Sequence, residues 1–114
     1  VYMRATENED IQLYNYTLMP THMRNLFGVD ELQSIGLSEP FDFTKNCQML
    51  KIPKKSTPWA LADFDTLLFD LQEDAGQLNP IHDVDIENRM IEEMMTLMKQ
   101  NDAPSEQYER LGLV

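Results

Sequence analysis

A chain of 114 residues, 42% of them hydrophobic, supports one domain with a modest core and is too apolar to be disordered by composition. Its net charge of −11 argues against nucleic acid or an anionic membrane as partner. No apolar run approaches the roughly 20 residues of a membrane span, and a single cysteine, Cys47, excludes an internal disulfide or a cysteine metal cage.

The charge is uneven. Residues 1–56 carry six basic and seven acidic side chains, whereas residues 57–114 carry three and thirteen. An anion is therefore expected to meet the first half, which holds Arg24, Lys45, Lys51, Lys54 and Lys55. The chain opens on Val1, not Met, and is read as an excised piece of a longer protein.

Val1 to Ala5 reads as a short strand, followed by the polar loop Thr6 to Asp10. Leu13 to Met19, rich in aromatic and β-branched residues, predicts a second strand that Pro20 ends. Val29 to Ile35 predicts a turn or two of helix, with Asp30 and Glu31 near its positive end and Gly36 as its stop. Phe41 to Ile52 supplies a third strand, clearest from Cys47 onward, with Leu50 and Ile52 on one face. A proline-bounded loop from Pro53 to Pro58 leads toward Thr66 to Gln72, a strand with Leu67, Phe69 and Leu71 on one side. Glu73 to Gly76 then turns the chain.

The strongest element is Asp83 to Gln100. Ile86, Met90, Met94 and Leu97 recur at helical spacing, flanked by Ile91 and Met98, in an arc of roughly 140°. Asp83 can cap its free N–H groups, and Pro104 follows shortly after the pattern stops. Four of the eight methionines lie on this helix and read as core filling. A last short helix, Pro104 to Leu111, is closed by Gly112. Strands followed by helices without βαβ alternation predict an α+β fold. The expected architecture is one domain over residues 1–114: an antiparallel sheet of three to four strands, with the long helix on one face. That face is expected to join the strands around Leu50 and Phe69.

Catalytic chemistry is hard to find. His22 and His82 share no metal-binding spacing, and Asp63, Asp65, Asp70 and Asp74 lack the glycine and terminal glutamate of a calcium loop. Cys47 has no neighbouring base and reads as a small core side chain. Tyr16 to Arg24 is the most suggestive stretch, because Thr21, His22 and Arg24 could offer a hydroxyl, an imidazole and a guanidinium to an oxyanion. The competing reading is a strand-end turn whose polar groups satisfy local backbone.

Several segments resemble one family. Leu67-Leu-Phe-Asp-Leu-Gln-Glu-Asp-Ala-Gly-Gln-Leu-Asn-Pro80 is similar to the LYDLxxDPGExxNL segment near the C-terminus of sulfatases of the alkaline-phosphatase superfamily. Asn46-Cys-Gln-Met-Leu-Lys-Ile52 resembles the strand before it, often RYKYI, and Tyr16 to Arg24 resembles a segment of the same bacterial group. Met98-Lys-Gln-Asn-Asp-Ala-Pro-Ser-Glu-Gln-Tyr-Glu-Arg-Leu-Gly112 is similar to tails of bacterial sulfatases, where ENDAPPEQYERLGL recurs. Ala75 stands where proline is usual, and Gln77 where glutamate is usual.

The resemblance implies a C-terminal accessory subdomain that packs on its own catalytic domain and shapes the pocket for a sulfate-ester substrate. It implies a formylglycine made in a C/S-x-P-x-R motif and a calcium ion for the full enzyme, with neither belonging to this piece. His22 and Arg24 are the candidate substrate-side residues. Self-association of the exposed docking surface is a further expectation. The alternative is a stand-alone acidic interaction module that uses its Met-rich helix as a groove.

Overall fold

The computed structural model describes residues 1–19, 21–54 and 65–114. It is α+β, with antiparallel sheets and three helices among the described residues. Contacts divide the chain into two compact units, Val1–Asp10 with Trp59–Val114, and Ile11–Pro58.

In the first unit, β1 (Tyr2–Met3) pairs antiparallel with β5 (Leu67–Leu68), Tyr2 opposite Leu68. The ladder continues as Val1 N donates to the Phe69 carbonyl at 2.7 Å and Phe69 N returns a bond to Val1 O at 2.8 Å. Leu68 and Phe69 are buried. The strand predicted to reach Gln72 stops there, because Gln72 N turns back to Asp70 Oδ1 at 2.9 Å, and Leu71 is left exposed.

Helix α2 (Val84–Gln100) forms where its periodicity predicts, and Asp83 Oδ1 accepts from Ile86 N at 3.0 Å. Its inner stripe keeps five of the six expected residues, gains Met95 and loses Leu97. Met95 is half-buried with Ile86, Met90, Ile91, Met94 and Met98, while Leu97 is 58% exposed. Glu87 also falls on the inner face, where the Tyr2 hydroxyl donates to its carboxylate at 3.1 Å. A half-buried carboxylate gains from such a donor. Burial, with a smaller push from Glu87, raises the Tyr2 phenol above its ordinary value against a lowering by Arg4, so the hydroxyl stays a donor at neutral pH.

Helix α3 (Ser105–Arg110) ends as predicted. Gly112 adopts φ +62°, and Leu113 N reaches back to Tyr108 O at 2.9 Å. Residues before Asp10 satisfy the free carbonyls of this helix end. Glu7 N and Asn8 N both donate to Arg110 O, Asn8 Nδ2 to Glu109 O, and Arg4 Nε to Leu111 O. The positive φ favours glycine at 112, and a Cβ there would also displace the end of the Glu7 side chain.

In the second unit, β4 (Leu50–Pro53) lies between β2 (Tyr14–Thr17) and β3 (Gly36–Leu37), antiparallel to both. Tyr16 faces Lys51 and Asn15 faces Ile52, which is fully buried. The expectation that the strands around Leu50 and Phe69 share one sheet is corrected here. Both edges of β4 are taken, so β5 has no free edge on it and pairs with β1 instead.

The predicted strand from Phe41 is also shorter. Asp42–Thr44 is a single 3-10 turn, in which Thr44 Oγ1 accepts from Phe41 N at 3.0 Å. Lys45 and Asn46 follow in left-handed conformation, which no strand tolerates. Cys47 is consequently exposed, not a core side chain. β2 stops at Thr17 because its hydroxyl accepts from Met19 N at 3.0 Å; the terminating role given to Pro20 lies outside the described residues. Helix α1 (Val29–Gln33) closes at Ser34, two residues before Gly36, which starts β3 and does not act as the cap.

Candidate functional site

Thr21, His22 and Arg24 occupy a tight loop closed by a β-bridge between Thr21 and Leu26. Phe27 behind the loop is buried, and the His22 ring meets it edge-on at 4.4 Å between centroids. His22 Nε2 lies 3.0 Å from Glu31 Oε1. The other oxygen of Glu31 accepts from Gly28 N at 2.7 Å, at the entry to α1. One carboxylate therefore caps a helix and holds an imidazole. The partner of His22 is thus a side-chain carboxylate and not local backbone, and it places negative charge beside the imidazole. Glu31 was missed in the sequence because nine residues separate it from His22.

Arg24 differs. It is exposed, and among the described residues no hydrogen bond or ion pair engages its guanidinium. The loop thus brings His22 and Arg24 to one protruding feature but commits only His22. Met23 between them is 99% exposed.

The remaining candidates do not converge. Asp70 Oδ1 is used by Gln72 N, Asp74 Oδ2 accepts from Asn79 N at 2.7 Å, and Asp63 lies outside the described residues. Among the described residues no group of three His, Cys, Asp or Glu side chains could hold a metal ion. No protein-family profile, curated relative or solved structure matches the chain.

A second cluster had no counterpart in the sequence reading. On the face of β2 and β4 opposite Ile52, Lys51 Nζ sits 4.1 Å from the Tyr14 ring centroid and 5.7 Å from that of Tyr16. Tyr16 meets Phe41 edge-on at 5.2 Å, and Phe41 stacks on Phe43 at 5.5 Å with planes 3° apart. The alternation of Tyr14 and Tyr16 around Asn15 was its sequence signal. The Phe41–Phe43 stack was hidden, because its spacing looked like strand and is in fact a turn.

Proposed function

We propose that this chain is the C-terminal accessory subdomain of a bacterial sulfatase, supporting the catalytic domain and forming part of the outer wall of its substrate pocket. The observation that carries the reading is the tail from Met98 to Gly112, whose residues are similar to sulfatase endings. The segments from Leu67 to Pro80 and Asn46 to Ile52 add to it.

Burial supports a role inside something larger. Among the described residues four apolar side chains are buried, Phe27, Ile52, Leu68 and Phe69, whereas sixteen large ones are exposed. Covering such surface gains roughly 25 cal/mol per Å² of apolar area, which a docked catalytic domain would collect.

The residues present do not fit the family's cofactors. Cys47 is followed by Gln-Met-Leu-Lys, not by the x-Pro-x-Arg that directs formylglycine formation, and Asp70 and Asp74 each accept from a backbone N–H. No catalytic step is therefore assigned to this chain. Arg24 is the better candidate for the substrate side, because its charge is uncommitted, while His22 is a positioning residue of the loop. The purified chain is expected not to hydrolyse para-nitrophenyl sulfate. Turnover by the chain alone contradicts the accessory role.

A further inference from the structure

We propose that Met23 is a reversible oxidation site, a thioether that hydrogen peroxide converts to the sulfoxide, turning an apolar loop tip polar while the fold stays intact. The inference stands on the exposure of the loop from Leu18 to Leu26 and not on the sulfatase reading.

Access comes first. An oxidant must reach a lone pair on sulfur, so susceptibility follows exposure. Met23 is 99% exposed, against 64% for Met19 and 44% for Met3. Met49 and the helix methionines Met90, Met94, Met95 and Met98 are half-buried. The fold therefore ranks the eight methionines of the chain, with Met23 at the head.

The loop holds Met23 in that position. The Thr21–Leu26 bridge closes its ends, and His22 is fixed between the Phe27 ring and the Glu31 carboxylate. The imidazole takes the seat against the buried Phe27, and the adjacent Met23 projects into water.

The step is a two-electron oxidation. Met23 Sδ attacks one oxygen of hydrogen peroxide; the S–O bond forms as the O–O bond breaks, and the departing hydroxide takes the proton left on the new oxygen and leaves as water. Reversal takes two electrons from a dithiol, which becomes a disulfide while the sulfoxide oxygen leaves as water. The sulfoxide adds a strong dipole to an apolar side chain. At Met23 that dipole stays hydrated, so folding is indifferent to it, whereas in the half-buried stripe of α2 the same oxygen would lose hydration. Leu18, Met19 and Leu26 of the same loop are exposed as well, so what oxidation changes is the polarity of this surface.

The test is limited oxidation of the purified chain with hydrogen peroxide, the oxygen gained at each methionine being located by peptide mass spectrometry. Met23 is expected to convert first, about fivefold faster than Met94. At full conversion of Met23, protection of the Lys54 amide, bonded to Leu13 O, should be unchanged, and retention on a hydrophobic-interaction column should fall. Met23→Gln should reproduce the lower retention without peroxide, and Met23→Leu should remove the fastest phase of oxidation. The two reductases specific for the sulfoxide epimers, with dithiothreitol as electron donor, should restore both thioether and retention. Faster oxidation of any other methionine overturns the proposal. So does loss of Lys54 protection when Met23 alone is oxidised, unchanged retention, or a sulfoxide that the reductases leave in place.

Discussion

Ile52→Ala is expected to destabilise the Ile11–Pro58 unit by about 3 kcal/mol. Ile52 is the one large side chain fully buried among the described residues, and it sits on the central strand of its sheet. Truncation loses the transfer energy of the removed carbons and leaves a cavity that a three-stranded sheet with strands of two to four residues can relax only in part. Among the described residues of the unit, Phe27 is the only other buried large apolar side chain. A loss of that order is a large share of the stability of any small domain. Hydrogen exchange at the amides of Lys54 and Ser38, bonded to Leu13 O and Met49 O, reads it directly. A change in their protection worth less than about 1 kcal/mol contradicts the assignment of Ile52 as the centre of this core.

Met94→Asp tests the other unit. Met94 is half-buried on the inner face of α2, so a carboxylate there loses hydration without a donor to replace it. A cost of about 2–3 kcal/mol is expected, seen as an earlier thermal transition in far-UV circular dichroism. The comparison that gives this force is Leu97→Asp. Leu97 is 58% exposed, and the same change there should cost only about 0.5 kcal/mol, chiefly from helix propensity. Equal transitions in the two variants contradict the packing of this helix.

Elements whose signals are local were legible in the sequence. The cap at Asp83, the helical spacing of Ile86, Met90 and Met94, and the glycine stop at Gly112 each act within a turn or two, and each appears where expected. Leu97 and Met95 show where periodicity runs out. Both are apolar, Leu97 inside the expected arc and Met95 just beyond it, and only the tertiary partner decides which of them is covered. The sheet division was not legible for a similar reason, since nothing within Leu50 to Ile52 announces that β3 will take the second edge of β4. In the candidate site, the chemistry of His22 and Arg24 was readable but their fates were not. A carboxylate nine residues away commits one of them, and the other stays open to solvent.

The accessory role is a proposal that rests on sequence resemblance and on exposed apolar side chains. The most direct test is to sequence the genomic DNA preceding the codon for Val1. The account predicts an uninterrupted reading frame for several hundred codons that contains a C-x-P-x-R or S-x-P-x-R motif near its start. A start codon directly before Val1, or a long upstream frame without that motif, contradicts it.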